Sequence, residues 1–137
     1  MTILTPYLNF RGDARAAIEF YQSVLGGALT LSTFADFQME VEESEKNLVM
    51  HSQLTTDGGL TLMASDTPAH MDYTRGDNFS VSLSGEDEVE LTKLYEGLTE
   101  GGTILQPLTK APWGDSFGMW LDRFGVRWLV NITAVAA

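Results

Sequence analysis

Apolar and polar positions along the chain change period several times, and each change marks an element. Ile3–Phe10 alternates weakly and reads as a strand. After Gly12, Asp13 is an N-cap candidate whose carboxylate can accept from the first free helical N–H groups. From Arg15 to Leu25 the residues Ala17, Ile18, Tyr21, Val24 and Leu25 share one helical face. Gly26-Gly27 ends that helix, one glycine forming a left-handed cap. Ala28–Ala35 returns to a strand, and Leu48–Thr55 with Leu60–Ser65 reads as a hairpin across Thr56-Asp57-Gly58-Gly59. Ser65–Asp77 has no period, contains Pro68 and Gly76, and reads as a connection.

The same pattern then returns. Asn78–Ser84 alternates cleanly, with Phe79, Val81 and Leu83 on one face and Asn78, Ser80 and Ser82 on the other. Glu86–Glu100 carries a helical stripe of Leu91, Leu94, Tyr95 and Leu98, and its acidic first turn suits the positive end of the helix dipole. Gly101-Gly102 ends it, and Thr103–Leu108 is a strand. A Trp-rich hairpin closes the pattern, Ser116–Asp122 with Val126–Ile132, around a turn in which Gly125 takes the left-handed conformation. The two Gly-Gly pairs lie 75 positions apart. Strand, helix, Gly-Gly, strand, hairpin thus occurs twice, a repeat of pattern with little side-chain identity. The fold class predicted is α+β, one domain over 1–137. Two tandem βαβββ modules, about 1–66 and 77–137, form a cupped mixed sheet with the helices on its outer faces.

Composition narrows the partners. Eight basic against nineteen acidic residues leave a net charge of −11 over 137 residues, which opposes binding to nucleic-acid phosphates. Five of the acids fall within Asp36–Asn47, which reads as a solvated loop able to gate a cup mouth or attract a cationic ligand. The absence of cysteine excludes disulfides and thiolate metal sites. The first apolar run is interrupted by Thr5, Asn9 and Arg11, which does not suit a signal peptide, and no run approaches a membrane span. A cytoplasmic protein is expected, without nucleic-acid or membrane partners.

Several phrases resemble the vicinal oxygen chelate superfamily, which includes glyoxalase I, bleomycin- and fosfomycin-resistance proteins and extradiol dioxygenases, and in particular its PhnB-like branch. They are Thr5-Pro6-Tyr7-Leu8-Asn9-Phe10, Ala17-Ile18-Glu19-Phe20-Tyr21 running on to Leu25-Gly26-Gly27, and Leu62-Met63-Ala64-Ser65-Asp66. Trp113-Gly114-Asp115-Ser116-Phe117-Gly118-Met119 and Asp122-Arg123-Phe124-Gly125-Val126 complete the set. The resemblance implies a homodimer and a cupped sheet around a small-molecule site. It also implies, for metal-using relatives, an ion held by His and Glu from the first and last strand of each module. Those places fall near Thr5–Tyr7, Leu62–Met63, Asn78 and Leu129–Asn131, and none is His, Glu or Asp. Tyr, Met and Asn are poor ligands for hard or borderline ions, so no metal and no cofactor are expected.

The candidate ligand-binding residues are therefore others. In Leu48–Thr55, Val49, His51 and Gln53 face one way and Leu48, Met50 and Leu54 the other; if the second set packs the helix, His51 and Gln53 look into the cup. His51 is read as a hydrogen-bonded residue lining a cavity, or as the catalytic candidate, a general base or ligand-orienting group. His70, beside Asp66 and Asp72, could contribute to an unusual metal site. Tyr7, Met63 and Ser80 offer a mixed lining, Trp120 a flat wall if it faces the cup, and Trp113 a lid after Pro112. No G-x-S-x-G elbow is present. No Gly-rich loop opens a helix, so the methyltransferase label often attached to PhnB-like proteins has no support in these residues. The leading expectation is a metal-independent binding protein for a metabolite or drug. The alternative is an enzyme of lyase, isomerase or glyoxalase type with His51 as acid/base or an atypical metal. A structural or interaction module is a third reading.

Overall fold

A computed structural model describes residues 1–135. The chain divides into two compact units, Met1–Gly76 and Asp77–Ala137. In the first, β1 (Tyr7–Phe10), α1 (Ala14–Leu25), β2 (Ala28–Thr33), β3 (Val49–Thr55) and β4 (Thr61–Asp66) build a four-stranded sheet in the order β1-β4-β3-β2. In the second, β5 (Val81–Gly85), α2 (Glu88–Thr99), β6 (Thr103–Lys110), β7 (Ser116–Leu121) and β8 (Arg127–Ile132) repeat the plan in the order β5-β8-β7-β6. Each sheet is mixed: β1 runs parallel to β4 and β5 to β8, and the other pairs are antiparallel. The protein is α+β with two tandem βαβββ modules.

Each helix covers one face of its own sheet. Helix α1 buries Ala14, Ala17, Ile18 and Tyr21, and the sheet answers with Leu8, Phe10, Leu54, Leu62 and Ala64. Strand alternation sends the residues between them to the opposite face. In the second unit Leu83, Trp120, Trp128, Val130 and Ile132 are buried with Leu91 and Leu98 of α2.

The two Gly-Gly pairs have a common physical cause. The first glycine of each pair takes positive φ, 77° at Gly26 and 76° at Gly101. The second lies against the end of a hairpin. A Cβ at Gly27 would fall on the Thr55 carbonyl oxygen and 2.7 Å from Thr56 Cα; one at Gly102 would fall on the Leu121 carbonyl oxygen and 3.0 Å from Asp122 Cα. Only glycine lets the backbones meet there.

Four expectations are corrected. Asp13 makes no side-chain cap; the start of α1 is held instead by Asp66, whose Oδ1 accepts from Gly12 N at 2.7 Å and Ala14 N at 3.1 Å. The other oxygen, Oδ2, accepts from Val49 N at 2.9 Å. Three backbone donors thus converge on one buried carboxylate, which a short-range capping rule cannot anticipate. Helix α2 behaves as expected, with Asp87 accepting from Glu90 N at 3.0 Å. The second correction is that β5 starts at Val81, leaving Asn78–Ser80 outside the strand and Phe79 exposed, where alternation had put it beside Val81 and Leu83. Third, the acidic stretch is not wholly solvated. It folds through turns and a 3-10 turn at Glu43–Glu45, and Glu45 is buried with Oε2 accepting from Ala69 N at 2.7 Å. Fourth, Trp120 is buried against Tyr95 of α2 and does not wall a cup.

Candidate functional site

The face of the first sheet opposite α1 carries the residues singled out in that unit. Tyr7, Met63, Gln53 and Thr30 form one cross-strand row, since Tyr7 pairs with Met63, Met63 with Gln53 and Gln53 with Thr30. In the neighbouring row Asn9 pairs with Ser65, and His51 pairs with Ser32. Their strand neighbours Leu8, Phe10, Ser52, Leu54, Leu62 and Ala64 are buried, whereas Tyr7 and Asn9 are exposed and His51, Gln53 and Met63 half-buried. The open face is therefore mixed: a phenol, a thioether, an imidazole, amides and hydroxyls.

One contact organises it. Tyr7 Oη and His51 Nδ1 lie 3.1 Å apart, with ring centroids at 5.7 Å. The residues come from β1 and β3, with β4 between them, so their side chains meet above the intervening strand. Gln53 is oriented by a bond from its Nε2 to Thr55 Oγ1 at 3.2 Å. At one end of β1 the connecting loop is tied down. Arg11 donates to the carbonyls of Met71 and Pro68 and sits 5.1 Å over the Tyr73 ring, and Tyr73 Oη donates to Asn9 O.

The candidates of the second unit are placed differently. Trp120 is wholly buried, 6.2 Å from and nearly parallel to Trp128, and edge-on to Tyr95 of α2 at 5.3 Å. It faces the helix, so it is core and not a pocket wall. The parity that placed it with Ser116 and Gly118 was right; which face met the helix was not readable from alternation alone. Trp113 sits at the tip of the β6–β7 turn, closed by Ala111 N to Asp115 O at 2.6 Å and Gly114 N to Ala111 O at 2.9 Å, and is 75% exposed. Ser80 is half-buried just before β5. The turn expected at Asp122–Gly125 forms, with Gly125 at φ 87°. Its centre is the buried Asp122, which accepts from Phe124 N, Val126 N and Trp128 Nε1.

The places that the resemblance assigns to an ion carry other side chains in this geometry. Tyr7 and Met63 lie on the open face of the first sheet. Leu129 and Asn131 alternate with the buried Trp128 and Val130. Asn131 Nδ2 donates to Asp115 Oδ2 at 3.4 Å. A phenol, a thioether, an alkyl chain and an amide do not make a donor set for the superfamily's ion. Among the described residues no group of three or more His, Cys, Asp or Glu is arranged to hold a metal. His70 is exposed and lines, with Glu40, Val41, Glu42 and Glu45, an open depression of about 460 Å³.

Asn9, Thr30 and Ser32 were not anticipated at the site. Their strands were legible, but that they share a row with Ser65, Gln53 and His51 follows from the β1-β4-β3-β2 order, which the sequence does not state. Among the described residues no helix is long and apolar enough to cross a membrane.

Comparison with known proteins agrees with this architecture. The chain is similar to protein YjdN of Escherichia coli (strain K12), with 26% identity over 140 residues and 94% of each chain covered. It is similar in structure to protein PA1353 from Pseudomonas aeruginosa, with 35% identity, a TM-score of 0.88 and coverage of 98% of this chain and 100% of that one. The PhnB protein from Bacillus cereus matches with 25% identity and a TM-score of 0.74, over 96% of this chain and 100% of that one. Residues 4–130 match the family model, and the chain belongs to the Glyoxalase/Bleomycin resistance protein/Dioxygenase superfamily.

Proposed function

We propose that this superfamily member is a small-molecule binding protein, and that a metabolite or drug lies on the open face of the first sheet. The observation that carries the reading is the row Tyr7–Met63–Gln53 with His51 bonded to Tyr7 beside it. Such a face offers apolar contact together with a few fixed polar groups, which is the usual make-up of a ligand site. The donor set at the superfamily's metal places supports binding without an ion. A cytoplasmic homodimer fits this reading: β6 is an edge strand with Ile104 and Leu105 about half exposed, a surface suited to a second copy.

The test is thermal stabilisation of the purified protein by planar small molecules, since a ligand that binds only the folded state raises the melting temperature. A stabilising compound is expected to lose its effect in His51→Ala. A stoichiometric ion that is needed for binding would overturn the reading. A half-buried imidazole on this face also supports a second reading, an enzyme of lyase, isomerase or glyoxalase type with His51 as acid/base. Turnover of a stabilising compound by the wild type, abolished in His51→Ala, would decide for it.

A further inference from the structure

We infer that Tyr7 is a positioning residue that holds the His51 ring as an Nε2–H donor, and that the ligand it addresses is a neutral carbonyl compound. This rests on the binding reading above. The observation is the 3.1 Å approach of Tyr7 Oη to His51 Nδ1, the one side-chain hydrogen bond to this ring among the described residues. Either group could donate, but a phenol is the better donor and a neutral imidazole nitrogen the better acceptor. With Oη–H pointing at Nδ1, the ring's own proton sits on Nε2. Protonating the ring adds a proton at Nδ1, turns the phenol into an acceptor and leaves Nε2–H in place. While the pair is intact, Nε2 presents a donor in both charge states and has no lone pair to offer as a base.

A fixed donor on a half-buried face calls for an acceptor oxygen. Charge decides which kind. No strand position on this face is Lys, Arg, Asp or Glu, and the chain carries a net charge of −11. A carboxylate or phosphate placed there would be partly desolvated with no strand cation to pair it, since Arg11, just past the end of β1, is engaged with the Pro68 and Met71 carbonyls and the Tyr73 ring. Long-range repulsion would also slow its approach. A ketone, aldehyde or amide oxygen meets the donor at no such cost, while Met63 and the Tyr7 ring contact an apolar body.

The test uses the ¹⁵N-labelled full chain, read under conditions where the His51 ¹⁵N shifts themselves report a neutral ring. Long-range ¹H–¹⁵N correlation reports which nitrogen of His51 carries the proton. The wild type is expected to show Nε2–H alone, and Tyr7→Phe, which removes only the hydroxyl of an exposed side chain, to admit Nδ1–H. An Nδ1–H ring in the wild type, or an unchanged pattern in Tyr7→Phe, overturns the assignment. Three probes of one shape then test the ligand class: acetophenone, α-methylstyrene, in which carbon replaces the carbonyl oxygen, and benzoate. Acetophenone is expected to bind about five-fold tighter than α-methylstyrene, the worth of one net hydrogen bond. It should shift the His51 Nε2 signal and lose its advantage in His51→Ala. Equal binding of those two, or tightest binding by benzoate, overturns the carbonyl class. Binding by none of the three, with Nε2–H intact, overturns the ligand class and counts against the binding reading, while the Tyr7–His51 assignment stands.

Discussion

Replacing Gly102 by alanine tests whether the Gly-Gly pairs are demanded by packing or only by the ends of helices. The added Cβ would land on the Leu121 carbonyl oxygen, 3.0 Å from Asp122 Cα and 3.1 Å from Asp122 C. All three are backbone atoms at the start of a turn fixed by Asp122, so no side-chain rotation relieves the overlap. Overpacking of this kind costs roughly 1–3 kcal/mol, against which alanine recovers about 0.4–1 kcal/mol by stiffening the unfolded chain. A net loss of about 1–2 kcal/mol follows, or a melting temperature lower by roughly 3–8 °C for a chain of this size. Gly27→Ala should lose more, because φ is 96° there as well as the Thr55 and Thr56 backbone being in contact. Gly58→Ala, with nothing within 4 Å and no left-handed φ, is the control and should be neutral or slightly stabilised. Thermal and urea unfolding followed by circular dichroism measure all three. Gly102→Ala unfolding at or above the wild-type temperature would refute the packing explanation.

Asp66→Ala removes the acceptor of three backbone N–H groups and should destabilise by about 3–5 kcal/mol, read from the urea midpoint. The two notable tryptophans should separate cleanly: Trp120→Ala in the core is expected to cost about 3–5 kcal/mol, and Trp113→Ala at the exposed turn less than about 0.5 kcal/mol. Trp120→Phe should also abolish the near-ultraviolet dichroism of the Trp120–Trp128 stack, whether or not stability changes much. The exposed Lys46–Glu43 pair, at 2.7 Å, should be worth less than about 0.5 kcal/mol in Lys46→Ala.

The fold was legible because period, caps and turns agree with one another over most of the chain. The stripe of α2, its Asp87 cap and the Gly125 turn all follow from spacings of a few residues. What failed involved long-range partners or a choice between two faces. Asp13 looks like a cap by position, yet Asp66 takes that role from more than 50 residues away. Glu45 sits in an acidic run whose composition says solvent, but the bond its side chain accepts from Ala69 N draws it inward. Strand alternation paired Trp120 correctly with Ser116 and Gly118 and could not say which face the helix covers. The same ambiguity was resolved in the other direction at His51 and Gln53, where Leu54 marked the buried side. At the candidate site, the Tyr7–His51 contact was not readable from the sequence, since it depends on which strand lies between β1 and β3.

The position of Asp66 also bears on the order in which the two modules assemble. Helix α2 finds its N-cap within its own first turn, from a residue three positions before the donor. It can therefore nucleate locally, before its sheet exists. Helix α1 has no such local help. Its first N–H groups remain unpaired until the last residue of β4 arrives, after closure of a loop spanning 52 to 54 residues. The first module should thus set its helix start late and together with its parallel β1–β4 pairing, as a single concerted step. A fragment cut before Asp66 would hold every residue of α1 and still lack the carboxylate that completes its first turn.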